Sequence, residues 1–417
     1  MPGPRVLTVP LWSAALLAAA ACRQEPSGTA GPRPLLLASI TAGYHATCGI
    51  GLDGTAYCWG NGRYGQLGLD STEECSSVPG EDPCVATPAP VATTLKVTSI
   101  DAGGVHVCAV TPAGTAHCWG DDRFGQLGTP DTAELCGYPP GPCARAPQSV
   151  SLSGVLAISA GDSHTCATLQ GSAYCWGYGA YGRLGSGSSA NAEEPALVSG
   201  GVLFRAVVTG GSFSCGIAAS DSTAYCWGYN HLGQLGDGGT AANALPAPVT
   251  GARRFGLLTA GTAHACGLTA SGEAYCWGGA DQGELGITDS TGDCGGYACS
   301  TRPVLVSGGL RFTALAAGHA FTCGATATAS LCWGALPGIA GAGPRVPTPF
   351  GTEGTAGGPV FVSFTAGFDH ACGLTAAHEA YCWGSDRHGK LGDGPDVASG
   401  GRPVLVVAPD SSTAAAP

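Results

Sequence analysis

The chain has 417 residues, of which 70 are glycine, while charged residues make up only 11% and hydrophobic residues 44%. That content is too apolar for a disordered chain and lacks the strict third-residue glycine of collagen. The net charge of -12, with only Lys96 and Lys390 as lysines, argues against nucleic acid and anionic lipid surfaces as partners.

Residues 1–21 read as an export signal: Arg5 supplies the positive start, and Val6 to Ala21 form an apolar run too short to span a bilayer. Three alanines precede Cys22, which resembles a bacterial lipoprotein signal; lipidation of Cys22 is what that resemblance implies. Leu17 sits two places further upstream than that pattern prefers. Residues 22–34, rich in proline, glycine and serine, read as a flexible tether behind the lipidated cysteine.

From residue 35 to 407 the chain repeats itself. Cys-Trp-Gly recurs at Trp59, Trp119, Trp176, Trp227, Trp277, Trp333 and Trp383, at spacings of 60, 57, 51, 50, 56 and 50 residues. An Ala-Gly-x-x-x-x-Cys or a near variant precedes each tryptophan. In six repeats a Gly-x-Leu-Gly follows; the sixth repeat is degenerate there, reading ALPGIAG. Within each repeat two β-rich runs flank a turn whose last glycine (Gly54, Gly114, Gly272) suits a left-handed position. With one run upstream and one downstream, each repeat supplies about four short strands and no convincing helix. Seven four-stranded sheets in series predict an all-β, seven-bladed propeller. LLLASITAG at the start and RPVLVV at the end are read as two halves that complete one shared blade. Residues 408–417 read as a disordered tail.

The Ala-Gly-x-x-x-x-Cys, Tyr-Cys-Trp-Gly and Gly-Gln-Leu-Gly elements resemble the regulator-of-chromosome-condensation repeat, whose fold is a seven-bladed propeller. The resemblance covers roughly residues 35–407. The chain departs from that family in its cysteines, its export signal and its acidic charge.

Fourteen of the 21 cysteines form one pair per repeat: Cys48 with Cys58, Cys108 with Cys118, Cys166 with Cys175, Cys215 with Cys226, Cys266 with Cys276, Cys323 with Cys332, and Cys372 with Cys382. Six more fall only in the repeats with long spacings: Cys75 with Cys84, Cys136 with Cys143, and Cys294 with Cys299. Cys22 is left over, as lipidation requires. Cross-strand disulfides imply an oxidising compartment, and the spacings do not suit zinc.

Signals of chemistry are sparse. His106, His164, His264 and His370 stand two residues before the first cysteine of their repeats, where the others have Ala46, Phe213 and Phe321. Alternation with phenylalanine favours packing over a metal ring. GNGRYG and GYGAYG match a dinucleotide fingerprint, but no helix follows, so they read as turns. The inserted segments carry Asp70, Asp131 and Asp289, with Glu73, Glu74, Glu134 and Asp293 nearby. These aspartates read chiefly as turn formers and secondarily as calcium candidates. The sequence lacks G-x-S-x-G, Walker A and H-E-x-x-H motifs. It is therefore read as a non-enzyme that needs no cofactor: a monomeric, exported lipoprotein of the outer membrane or cell surface, or a secreted one. Its propeller would bind an envelope protein, peptide or glycan and touch the membrane only through lipid. The weaker alternatives are an exchange factor for a small GTPase, by family resemblance, and a secreted enzyme on a propeller scaffold.

Overall fold

The computed structural model describes residues 33–69, 82–130, 132, 134–288, 292–339, 341–350, 359–394 and 401–409. The described part of the unit Pro34–Pro417 consists of seven antiparallel sheets, five of four strands and two of five. No described helix is long and apolar enough to cross a membrane.

The third blade shows the pattern. Its strands are Val155–Ala160, His164–Leu169, Ser172–Gly177 and Ala192–Leu197, running from the axis outward. Register places Cys166 opposite Cys175, and a disulfide joins them at a Cα separation of 4.1 Å. The hairpin turn holds Gln170 and Gly171 at φ 45° and 89°, the two-residue turn suited to the right-handed twist of the strands. The longer turns put Gly54, Gly114 and Gly272 at φ 75–84°.

Gly-x-Leu-Gly joins neighbouring blades. In GQLG at 125–128, Leu127 is fully buried, and the carbonyl of Gln126 accepts the Trp176 indole N–H of the next blade at 3.0 Å. Gly128 is left-handed (φ 73°), and a Cβ there would lie 2.7 Å from the Trp176 indole nitrogen. Equivalent indole bonds run from Trp119 to Gln66, Trp277 to Gln234 and Trp333 to Glu284. The Nε1 atoms of Trp227, facing the GRLG turn, and of Trp383, facing the degenerate sixth turn, find no acceptor among the described residues, and Trp383 packs on Phe350.

Ring closure differs from the shared blade that the sequence suggests. The strand Leu37–Ala42 belongs to the first sheet, and Val404–Leu405 completes the seventh, so every blade is continuous in sequence. The first strand of the propeller is thus an innermost one and its last an outermost one, so the seam falls at a boundary between blades. The seam therefore reuses the ordinary junction. Trp59 donates to the Lys390 carbonyl at 3.0 Å, and Leu37 N–H to the His378 carbonyl at 2.9 Å. Bridges from Pro34 to Val407 and from Leu36 to Glu379 add to it.

Candidate functional site

The innermost strands end in Ala-Gly or Thr-Gly, and these seven glycines close one end of the axis. A Cβ on Gly103 would stand 2.2 Å from the Gly161 carbonyl oxygen, and one on Gly261 the same distance from that of Gly318. The relation runs around the ring and closes from Gly367 to Gly43. Only glycine allows so close an approach of backbones.

After the ring glycine two blades have another glycine, Gly104 and Gly211, and the other five have Tyr44, Asp162, Thr262, His319 and Phe368, which fill the axial mouth. The Tyr44 hydroxyl crosses the axis to Thr262 at 3.0 Å and bonds Asp162. His319 Nδ1 meets Thr262 at 3.0 Å, and its ring stacks on Phe368 at 4.0 Å. Burial pushes the Asp162 carboxyl up to about 6, against the lowering pull of the Tyr44 bond and the Arg183 charge. Burial and the Asp162 charge raise the Tyr44 phenol further still.

Two blades depart from the rest beside this mouth. In four Gly-x-Leu-Gly turns x is Gln66, Gln126, Gln234 or Glu284, and its side-chain oxygen accepts the backbone N–H two residues earlier at 2.8–3.0 Å. In blades three and seven x is Arg183 or Lys390, which has no acceptor to offer. The residue two places earlier then turns left-handed: Tyr181 at φ 64° and His388 at φ 68°. Non-glycine residues held there gather at functional sites. The freed cations reach toward the axis. Arg183 Nη1 bonds the Gly211 carbonyl at 3.2 Å and lies over the Tyr178 ring at 4.6 Å. Lys390, 3% exposed, pairs with Asp369. Burial opposes ionisation of Asp369, but the Lys390 charge and hydrogen bond outweigh it and hold the carboxyl below its usual range.

Outside the mouth, on the same face, lies an arc of rings and arginines. Phe124 packs on Tyr178 at 4.5 Å and Tyr181 on Tyr229 at 4.6 Å, and His231 continues to Tyr297. On the other side Arg123 covers Tyr64 at 5.3 Å, and Arg63 lies 6.0 Å from the Tyr138 ring centre. Tyr138 is 80% exposed, and Tyr181 and Tyr297 are each 52% exposed. Tyr138 and Tyr297 lie in inserted hairpins held by the disulfides Cys136–Cys143 and Cys294–Cys299.

The four histidines are packing residues. The Nε2 atoms of His106, His164, His264 and His370 meet Thr165, Ser214, Thr322 and Thr47 of the next blade at 2.8–2.9 Å. Each hydroxyl donates its proton to a turn carbonyl, as Thr165 does to Gln126, so it must accept from the imidazole N–H. Burial lowers His106, His264 and His370 to about 3 and His164 well below its ordinary value. Where histidine becomes Phe213 or Phe321, the facing residue becomes Ala265 or Ala371; opposite Ala46 it becomes Val107. This cross-blade pairing was present in the sequence and went unused there, as did the cations in GRLG and GKLG.

The cysteine pairs expected in the seven repeats are all bonded, one between the second and third strands of every blade. In chain order, Cys48 joins Cys58, Cys108 joins Cys118, Cys166 joins Cys175, and Cys215 joins Cys226. In the last three blades Cys266 joins Cys276, Cys323 joins Cys332, and Cys372 joins Cys382. Their Cα separations are 4.0–4.1 Å, the close approach of directly opposed residues in an antiparallel pair. With the two inserted hairpins, nine disulfides are present among the described residues, and such a set points to an oxidising environment. Cys84 is also disulfide-bonded.

Cys22, Cys75, Asp70, Glu73, Glu74, Asp131 and Asp289 lie outside the described residues. Glu134 pairs with Arg145 at 3.1 Å, and Asp293 accepts the Gly296 N–H. Among the described residues, Glu134, Cys136 and Cys143 come close enough to suggest a metal, but the two sulfurs are bonded to each other and offer no thiolate.

A family model described as regulator of chromosome condensation (RCC1) repeat matches residues 53–110, 113–168, 170–217 and 221–268. A second model of the same description matches 38–66, 97–126, 155–183, 258–284 and 361–390. The E3 ubiquitin-protein ligase HERC2 of Homo sapiens is 28% identical over 263 residues, which are 59% of this chain but only 5% of the ligase. Human WBSCR16 superposes with a TM-score of 0.72 at 20% identity, covering 85% of this chain and 94% of that one. Prp20p from Saccharomyces cerevisiae, whose structure was described with its binding to Gsp1p and histones, gives 0.66 at 20% identity, covering 79% and 80%.

Proposed function

The chain belongs to the regulator of chromosome condensation (RCC1) repeat family, and on that premise we propose that it is a non-catalytic binding propeller of the cell envelope. It is exported as a lipoprotein: residues 1–21 are removed, Cys22 carries the lipid, residues 22–34 form the tether, and residues 35–407 present the propeller. The partner is a protein, peptide or glycan engaged by the face that bears the axial mouth. The observation that carries this reading is the arc of exposed tyrosines and arginines on that face. Aromatic and arginine side chains are the residues that dominate binding energy at interfaces, and the blade disulfides hold them on a rigid frame. The binding reported for Prp20p supports a protein as the partner class. Exchange on a small GTPase fits less well, because that chemistry belongs to a reducing compartment where such disulfides rarely persist.

The test is photo-crosslinking in the native envelope, with the photoreactive residue at position 181 or 297, or at Leu197 on an outer strand as control. The reading expects a discrete adduct from 181 and 297, absent from 197 and lost when Tyr229→Ala accompanies it. Equal labelling from all three positions, or none from 181 and 297, contradicts it.

A further inference from the structure

Below the glycine ring the axis widens into a cavity of about 230 Å³ lined by the innermost strands. One position, two residues before each ring glycine, forms a belt around it. Thr41, Ser159, Thr259 and Thr365 occupy that belt, and each hydroxyl accepts a backbone N–H from the next blade at 2.9–3.2 Å. In blade two the position is Asp101, which accepts the Ala160 N–H at 2.8 Å through one carboxylate oxygen and the Thr41 hydroxyl at 2.8 Å through the other. Four blades show that a neutral hydroxyl is enough to link neighbours here. The carboxylate is therefore more than the junction requires.

No lysine, arginine or histidine lines the cavity, and Asp101 has no ion-pair partner among the described residues. A carboxylate without a counter-charge against an apolar wall is costly. The opposite wall is greasy: Val208, Leu257, Leu315 and Phe364 face the same space. Asp101 itself is only partly shielded from solvent. The Tyr44 and Thr262 contact blocks the glycine end of the axis, which leaves the other end as the way in. There, at the opposite ends of the innermost strands, Leu156 and Val362 are 70% and 54% exposed. Carboxylate inside and aliphatic surface outside is the reverse image of an alkyl stem ending in a cation.

We propose that the axial cavity is a binding site for a primary aliphatic ammonium group, a free alkylamine or a partner's lysine side chain, which enters from the end opposite Tyr44 and pairs with Asp101. The alkyl stem lies along Leu257, Leu315 and Phe364, and the ammonium donates to Asp101 and to hydroxyls of the belt. This site is independent of the tyrosine arc and opens on the other face.

The test is calorimetric titration of the full-length oxidised protein at pH 7.5 with n-pentylammonium, with n-pentanol, and with acetyl-Gly-Lys-Gly-amide. Saturable binding of n-pentylammonium at least tenfold tighter than n-pentanol is expected. Asp101→Ser, which installs the residue blade three uses at this place and so preserves the junction, should weaken the ammonium at least tenfold and leave n-pentanol unchanged. Ala316→Leu, which narrows the cavity without touching Asp101, should weaken both compounds. Binding of the capped peptide as well identifies a partner's lysine as the source, and binding of n-pentylammonium alone identifies a free amine. No saturable binding of either amine, equal affinity for ammonium and alcohol, or an Asp101→Ser protein that binds like the parent overturns the proposal.

Discussion

Substituting alanine for a single ring glycine separates steric closure of the propeller from ordinary glycine effects. Gly261 has no positive φ, so an L side chain is allowed by its own backbone, and loss of unfolded-state entropy alone would favour alanine by about 0.4–1 kcal/mol. The obstacle is contact: the new Cβ would lie 2.2 Å from the Gly318 carbonyl oxygen and 2.7 Å from His264 Cε1, against an ordinary contact of 3.4–4 Å. Backbone cannot swing aside as a side chain can, so blades five and six must part by about 1 Å, a strain of the order of 1–3 kcal/mol for overpacking. Gly256, on the same strand, is the control; a Cβ there meets only the Leu268 carbonyl at 3.6 Å. Equilibrium unfolding in urea, followed by the fluorescence of the buried tryptophans, reads the difference. Gly261→Ala should lose about 2 kcal/mol, or about 2–3 °C in Tm for a domain of this size, while Gly256→Ala should be unchanged or slightly more stable. Equal stability of the two variants would refute the close-contact ring.

The blades and their junctions offer three further tests. His264→Phe with Thr322→Ala recreates the Phe213 and Ala265 pair found elsewhere in the ring, so the double variant should be more stable than the sum of the singles by about 1 kcal/mol or more; additivity would contradict the pairing. The four junction histidines have folded pKa values below the 6.5 of the unfolded chain, so the unfolded state binds more protons and stability is lost as pH falls below about 6.5. Asp162 and Asp386, both raised to about 6, act in the opposite sense, because the native state takes up their protons before the unfolded state does. The His264→Phe/Thr322→Ala protein lacks one of these protons and should lose about 1.4 kcal/mol less per pH unit than the parent between pH 4 and 6; an unchanged pH dependence would contradict the buried neutral imidazole. Replacing Cys166 and Cys175 together by alanine should cost about 2–4 kcal/mol in urea unfolding without changing the far-ultraviolet spectrum.

What could be read from the sequence follows from its period. Cys-Trp-Gly and Gly-x-Leu-Gly recur because each blade must present an indole to the previous turn, so strand number and blade number were visible before any coordinates. The cysteine pairs were equally legible, since Cys58 keeps its distance from Cys48, and Cys382 from Cys372, only if both sit opposite each other on one hairpin. The structural role of the histidines was also visible, although the facing Thr, Ser and Ala residues that explain it had to be read one blade further on. The axial mouth was not visible. Tyr44, Asp162, Thr262, His319 and Phe368 occupy one repeat position but share no residue type, and only ring closure brings Tyr44 to Thr262. The left-handed Tyr181 and His388 had a local cause in Arg183 and Lys390, yet the motif that contains them reads as a turn of constant length until the missing acceptor is noticed. The closing blade was misassigned because a strand boundary and a blade boundary look alike in a run such as LLLASITAG.

The envelope address and the rigid frame can be tested together by the intact mass of the protein taken from its native membranes, unreduced and alkylated at free thiols. The account predicts loss of residues 1–21, acyl mass on Cys22 and no alkylated cysteine. A chain that retains its first residues and carries many alkylated thiols would contradict export, anchoring and the disulfide-held propeller at once.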